Sequence, residues 1–411
     1  MHNIKIPFKV KLFLSVIGPG IVVMLADTDA SSIITAAQTG AVWAYKMILL
    51  QIILIPILYI AQELTVRLGL ATKMGHGELI KHHFGKFWAW VSVSTLMITC
   101  IGAIIGQFIG LAGVGLLFGI PSWITMIIAS IFLMVVVLTG SYRSVERCAI
   151  LIGLFELVFV VVAFLAHPSI KEIMHGLTYF PIHNSSYLYL AAANIGAVIM
   201  PWMIFYQQSA IVDKGLDTKH IKISRWDTAI GAVVTQAIMI AVIVTIAATI
   251  GKTNPGVPLN TVHQISEAIT PYLGTTIGHL CFALGMIGAS LVAAIVVSLT
   301  AAWAFGEITG FKHSLEHKPK DAPWFYIIYC ATLIFGFVLV ESGINLVDLS
   351  VAINVMNALL LPIVLVFLYL LAVKALPDKY RLRGIYAWIV GTVLFITTGF
   401  GVVAAITGIL W

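Results

Sequence analysis

Apolar runs of about 18 residues or more recur from one end of this 411-residue chain to the other, each long enough to cross the ~30 Å hydrocarbon core of a bilayer. That pattern leaves few folds open. In lipid every backbone polar group must be satisfied within the protein, and long helical segments do this internally. Only 10% of the residues are charged and 60% are hydrophobic, where a soluble domain carries about 25% charged residues. The runs predict spans near 12–40, 45–70, 87–117, 122–141, 148–166, 187–212, 227–250, 274–306, 324–341, 347–373 and 385–410. The expected fold class is therefore an all-α membrane protein of about eleven transmembrane helices, forming one domain over residues 1–411. The first run, from Phe13, follows Lys5, Lys9 and Lys11 and could pass for a secretion signal. It lacks a small-residue cleavage site and holds two aspartates, so it reads as the first span.

The formal charge of +6 reflects topology rather than nucleic-acid binding, because no clustered basic face exists. With the N-terminus in the cytoplasm, all but three of the 23 basic residues fall on the cytoplasmic side, and only Lys46, Lys171 and Lys252 lie outside. This is the asymmetry of the positive-inside rule for short loops. An extra or missing span would scramble it. The C-terminus is then expected outside, in a plasma (inner) membrane. Cys100, Cys148, Cys281 and Cys330 are far apart, with no C-x-x-C spacing, and read as packing residues rather than a zinc or redox site.

Two spans carry breakers in their middles. The first holds Gly18-Pro19-Gly20 and then Asp27-Thr28-Asp29-Ala30-Ser31-Ser32, and the sixth holds Ala197-Val198-Ile199-Met200-Pro201-Trp202. Backbone groups freed there must face a protein cavity. Breaks five helices apart predict two five-helix repeats of opposite orientation, with a site at the midplane between them. The repeats would cover about 12–166 and 187–373, with an extra helix at about 385–410. The odd number of helices per unit forces the inversion.

Asp29 and Asp27 are costly so deep in a bilayer and persist there only when paired or functional. Unwinding at Asp29-Ala30-Ser31-Ser32 would offer a carboxylate, a hydroxyl and free carbonyls together, the oxygen ligands of a divalent cation. The bland alternative is a carboxylate that caps a half-helix. Met200 precedes Pro201, which lacks a backbone donor and so frees the carbonyl near Ala197. Its thioether suits late transition metals better than magnesium or calcium, although methionine in a membrane helix is more often filler. Glu156 lies deep in the fifth span, and Asn354 and Asn357 share one face of the tenth. Each could join a site or simply bond a neighbouring helix. The run His76-x-Glu78…His82-His83 could bind metal but reads better as a solvated loop, and Gly106-x-x-x-Gly110 and Gly115-x-x-x-Gly119 are helix-packing patterns.

These residues resemble a family. Gly18-Pro19-Gly20 with an aspartate nine residues on, followed by Ala36-x-x-x-Gly40, is similar to the first helix of the Nramp (natural resistance-associated macrophage protein) divalent-metal transporters. Gln62-Glu63-Leu64 with Arg67-Leu68-Gly69-Leu70-Ala71-Thr72 resembles that family's second helix, and Phe118-Gly119-Ile120-Pro121 its junction of helices three and four. Arg143-x-x-Glu146 resembles the turn after helix four, and Ala197-x-x-Met200-Pro201 with Gln208-Ser209-Ala210 resembles helix six. The resemblance implies inverted five-helix repeats of the LeuT-like kind and a metal site built from both broken helices. It implies Asp29 as carboxylate ligand, Ser32 at the place of an asparagine ligand, the Ala197 carbonyl, and the Met200 sulfur. Asp27, Trp202, Gln107 and Asn357 stand as secondary candidates.

The chain also departs from the family pattern. Asp-Pro-Gly-Asn reads Asp29-Ala30-Ser31-Ser32, and Met-Pro-His reads Met200-Pro201-Trp202, which loses a histidine associated with proton movement. The acidic residue of helix three falls at Gly106, beside Gln107, and that of helix four near Phe132. Proton coupling is therefore not expected, with Glu156 and Asp27 left as the possible substitutes. Retained Met200 favours manganese or iron as the transported ion. The shorter Ser32 would leave room for partly hydrated magnesium, the alternative. The expected function is alternating-access uptake of a divalent cation. The partners are that ion and the lipid bilayer, with no resident cofactor, nucleic acid or obligate protein partner implied. A sodium-coupled amino-acid transporter on the same architecture is a rival, but aspartates at the first break would repel a substrate carboxylate. A channel is a further rival. No H-E-x-x-H, G-x-S-x-G or P-loop proposes an enzyme.

Overall fold

The computed structural model describes residues 16–139, 141–268, 273–340 and 346–410. The basic stretch Lys5, Lys9 and Lys11 and the first residues of span one lie outside the described residues. Among the described residues the chain is helical throughout, with no strand.

Span one is two half-helices, α1 (Pro19–Asp27) and α2 (Ala30–Trp43). A 3-10 turn at Ala44–Met47 leads into α3 (Ile48–Thr72), which is span two. A short helix, α4 (His76–Phe84), precedes α5 (Lys86–Leu117) and α6 (Ser122–Leu138), spans three and four. Span five is α7 (Tyr142–Gly153), a 3-10 turn at Leu154–Leu157 and α8 (Val158–Leu165), and α9 (Ile170–Gly176) follows it. Span six is again split, into α10 (Ser185–Val198) and α11 (Pro201–Asp213). Then come α12 (Ile221–Ala248), the short α13 (Ile250–Thr253) and α14 (Val262–Glu267), α15 (Thr275–Thr309), α16 (Pro323–Val340), α17 (Leu346–Lys374) and α18 (Gly384–Leu410).

Nine continuous helical stretches among the described residues are long and apolar enough to cross a membrane, and α6 is a shorter apolar helix. One of the nine, Ala30–Thr72, contains both the second half of span one and all of span two. The eleven predicted spans thus each have a helix; spans one and six are each broken in two, and span five is two helices joined by a 3-10 turn. The run at His76 is a difference: it is helix α4 rather than a loop, and His76 is fully buried.

Local chemistry explains both breaks. The residue before a proline avoids the helical region, because the proline ring crowds its backbone. Met200 accordingly sits at φ −92°, ψ 140°, and Pro201 starts α11 where a missing N–H costs nothing. In span one Asp29 takes an extended conformation (φ −65°, ψ 168°) and caps α2, its side chain accepting from the Ser32 N–H at 2.7 Å. The Thr28 hydroxyl closes the end of α1 by donating to the Leu25 carbonyl at 2.9 Å.

Close helix contacts hold the breaks in place. A Cβ on Gly196 would stand 1.9 Å from the backbone oxygen of Asn354, so α10 and α17 touch backbone to backbone. A Cβ on Gly106 would stand 2.9 Å from Cβ of Ser31, and one on Gly110 2.4 Å from Cβ of Ala30. The smooth face of α5 is thereby pressed against the start of α2. The second glycine pair divides: a Cβ on Gly115 would stand 2.1 Å from Thr125 Oγ1, whereas one on Gly119 would meet nothing within 4 Å, and Gly119 turns the chain at φ +71°.

Candidate metal site at the two helix breaks

The break in α1/α2 and the break in α10/α11 meet. The Ser32 hydroxyl donates to the Ala197 carbonyl at 3.1 Å, across two helices 165 residues apart in sequence. Ala197 is in the last turn of α10, where carbonyls lose their helical partners. Asp29 stands beside this bridge. Its Oδ1 accepts from Ser32 N (2.7 Å) and from the Ser31 hydroxyl (2.8 Å), and its Oδ2 accepts from Gln107 Nε2 (2.8 Å). Asp29, Ser32, Ala197 and Met200 are all essentially buried, with Met200 at the head of α11. Of the two readings of Asp29 offered by the sequence, the capping of a half-helix is the one seen in these bonds.

Gln107 ties the site to α5. Besides its bond to Asp29, its Oε1 accepts from the Ala30 N–H at 3.1 Å, and its Nε2 also reaches the Ala103 carbonyl at 2.8 Å. The sequence put the family's helix-three acid at Gly106. The residue that faces Asp29 is Gln107, and Gly106 is pressed against Ser31 with no room for a side chain. An uncharged amide therefore lies against the carboxylate.

The secondary candidates divide. Asn354 joins the edge of the site, donating to the Thr35 hydroxyl at 2.9 Å and accepting weakly from Ser31 at 3.5 Å. Asn357 reaches the site only through Asn354 (3.4 Å), and its own Oδ1 is buried with no partner. Trp202 is buried with an unpartnered Nε1. Asp27 bonds away from the junction, to Thr235 of α12 at 3.2 Å. Glu156, on the 3-10 turn of span five, accepts from the Thr28 hydroxyl, the neighbouring-helix bond that was the bland expectation. His76 is not a loop ligand. Its Nδ1 pairs with Gln208 Oε1 at 3.0 Å, its ring packs edge-on against Phe205, and burial lowers its pKa to about 4.

Among the described residues no three His, Cys, Asp or Glu side chains gather to hold a metal. The bonds at the junction bring together one carboxylate, one hydroxyl and one carbonyl, with Met200 buried at the second break.

Sequence reasoning missed a cluster at the N-terminal end of α1. Asp227 of α12 accepts from Gly20 N (2.7 Å), Gly18 N (3.1 Å) and Ile21 N (3.2 Å), capping α1 from another helix. Lys214, at the end of α11, donates to the carbonyls of Val16 (3.3 Å) and Ile17 (3.0 Å) and pairs with Glu146 at 2.7 Å. An acid opening span seven among basic neighbours, Arg225-Trp226-Asp227, was the available signal.

The comparisons agree with this architecture. A manganese transporter from Eremococcus coleocola, solved with an aromatic bis-isothiourea compound, superposes with a TM-score of 0.78 at 19% identity, covering 99% of this chain and 90% of that one. MhsT in complex with L-phenylalanine superposes with a TM-score of 0.63 at 13% identity, covering 94% and 98%. The fold is thus shared by Nramp and LeuT-fold transporters. Among curated proteins, the divalent metal cation transporter MntH of Staphylococcus haemolyticus is 32% identical over 218 residues, 51% of this chain and 48% of that protein. MntH of Staphylococcus aureus (strain Newman) is 30% identical over 220 residues, 51% and 47%. The chain thus spans about half the length of the curated relatives it matches. A family model described as natural resistance-associated macrophage protein-like matches residues 20–407, so this integral membrane protein belongs to the Nramp family.

Proposed function

We propose that this protein is a secondary transporter that moves divalent metal cations, manganese or iron, into the cytoplasm by alternating access. The observation that carries the reading is the Ser32–Ala197 bridge beside Asp29, which joins the two helix breaks at a buried point rich in oxygen donors. The ion would take Asp29 as its charged ligand, with the Ala197 carbonyl, the Ser32 hydroxyl and the Met200 sulfur completing its shell. Two inverted repeats, about 12–166 and 187–373, would carry one break each. The N-terminus would lie in the cytoplasm and the C-terminus outside.

The driving force is the ion's own gradient and the membrane potential, not protons. In support, Asp29 is held by hydroxyl, amide and backbone donors, and Gln107 offers no titratable group beside it. A divalent ion moving inward gains about 4.6 kcal/mol per 100 mV from its two charges. Magnesium is the second reading, favoured by the short Ser32 side chain, which leaves space for a retained water.

Proteoliposomes test this directly. Manganese uptake should saturate, respond to an inside-negative potential, and be unchanged by an imposed pH gradient. Asp29→Ala should abolish it. Uptake that needs an inward proton gradient would refute the coupling, and full activity in Asp29→Ala would refute the site.

A further inference from the structure

In the topology expected from the spans, all but three of the 23 basic residues fall on one side of the membrane, and the exceptions are Lys46, Lys171 and Lys252. The fold brings these three together. Lys46 is in the 3-10 turn after α2, Lys171 in α9 and Lys252 in α13, and all three line one cavity of about 520 Å³. Ser169, Glu172 and His175 complete its polar lining. The lysines come from three connections distant in sequence, so their meeting is a property of the fold and not of a local basic run.

Two glycines fix the walls. A Cβ on Gly176 would stand 2.7 Å from Cβ of Tyr45, so the end of α9 is pressed onto the turn that carries Lys46. A Cβ on Gly251 would stand 2.8 Å from the Gly40 backbone oxygen, so α13 is pressed onto α2. The Lys46 ammonium lies 5.1 Å from the ring centres of both Trp43 and Tyr179, which hold it without cancelling its charge. Among the described residues none of the three lysines makes an ion pair, and Glu172, the one acid in the lining, pairs with none of them.

The cavity lies at the rim of the membrane domain. Ala247, near the end of α12, is in its wall. Beside it α9 exposes Ile170 and Met174, four residues apart and hence on one face, and span five ends on exposed Phe164 and Leu165. Apolar side chains so placed belong against acyl chains, and the Trp43–Lys46–Tyr179 stack belongs at headgroup level. Ammonium groups at that level attract the phosphate of an anionic lipid, which a lysine meets as a point charge.

We propose that this cavity seats the phosphate headgroup of one anionic phospholipid, held by Lys46, Lys171 and Lys252, with its acyl chains against the apolar face of α9 and the end of span five. The site is separate from the metal junction and does not rest on the transport reading. The lipid bridges the turn after α2, α9 and α13, so its binding stabilises that end of the protein. Three lysines less Glu172 leave two positive charges. At about fivefold per charge near a membrane surface, an anionic headgroup is favoured over a zwitterionic one by about 30-fold.

Native mass spectrometry of the purified full-length protein, titrated with phosphatidylglycerol or with phosphatidylcholine of the same chains, tests this. The wild-type protein should hold one phosphatidylglycerol about 30-fold more tightly than phosphatidylcholine, and that lipid should raise its melting temperature. Lys46→Gln, Lys171→Gln and Lys252→Gln together should lose that one tight lipid and the melting shift. Lys312→Gln, Lys318→Gln and Lys320→Gln together, on the opposite side, should keep both. Lys171→Gln alone changes an exposed side chain and should cost about fivefold in affinity, which decides the matter if the triple variant fails to fold. Equal affinity for the two lipids, tight binding unchanged by the cavity substitutions, or its equal loss in the opposite-side variant would each overturn the site. Inorganic phosphate that raises the melting temperature as far as the lipid does would mark a soluble anion as the occupant and overturn the lipid assignment.

Discussion

Truncating Gln107 to alanine offers a sharp test, because its side chain touches the ligand carboxylate but would not touch the ion. The change removes the 2.8 Å donation from Nε2 to Asp29 Oδ2 and leaves the Ala30 N–H without its 3.1 Å acceptor. Two effects compete. Losing a donor makes the carboxylate more basic, which favours a cation. Losing the strut lets Asp29 rotate away from the Ala197 and Ser32 donors, which disfavours it. The ion takes one lone pair of an oxygen that has two, so the Gln107 bond persists in the loaded state, and its electrostatic contribution largely cancels between states. Orientation therefore decides. A hydrogen bond to a charged group is worth about 1.5–3 kcal/mol net. At about 1.4 kcal/mol per factor of ten, the variant should lose about 10- to 100-fold in affinity, the range found for residues that orient metal ligands. Calorimetry with manganese and with magnesium measures it, alongside thermal melting as a check on folding. Both ions should suffer equally, since both need the carboxylate. Affinity within about twofold of wild type in a normally melting variant, or a loss confined to one ion, would refute the reasoning.

Met200→Ala should weaken manganese transport far more than magnesium transport, because sulfur is a soft donor; competition uptake in liposomes reads this, and equal losses would count against sulfur ligation. Gly196→Ala should destabilise the protein by about 1–3 kcal/mol or more, since the new Cβ meets the Asn354 backbone oxygen at 1.9 Å, and α10 and α17 must separate. A lowered melting temperature in detergent is the expected sign, and unchanged melting would contradict the contact. His76 is held neutral by burial, with its pKa lowered from 6.5 to about 4, so its contribution is complete above pH 6.5 and is lost as the pH falls toward 4. That contribution is about 3 kcal/mol, because each pKa unit corresponds to about 1.36 kcal/mol. The melting temperature of His76→Gln should therefore fall less steeply than wild type over that pH window, and parallel slopes would exclude the linkage.

Much of the architecture was legible because it is set locally. Apolar runs must be helical in lipid, and Pro201 forces Met200 out of the helix wherever α10 and α11 are placed. Asp29 is a natural cap for the half-helix it precedes. What was not legible depends on how helices rotate against one another. One residue along a helix turns the side chain by about 100°, and only the packing of α5 shows that Gln107, a secondary candidate, and not its neighbour Gly106 is aimed at Asp29. Asp27 ends α1 and Asp29 caps α2, so the break between them lets Asp27 face α12 although it is only two positions away. The role of Asp227 rests on amides contributed from more than 200 positions away, and no local pattern announces such a contact.

The capping of α1 by Asp227 carries a kinetic consequence. The carboxylate is 1% exposed and holds three amide N–H groups that have no helical partner of their own. Any swing of α1 away from α12 strips donors and acceptor at once, and neither side can be left dry. Water must reach the Asp227 carboxylate in step with any such swing, so separation of α1 from α12 and wetting of that crevice would be one event. Turnover should then slow under osmolytes that withdraw water from narrow clefts, even where ion affinity is untouched.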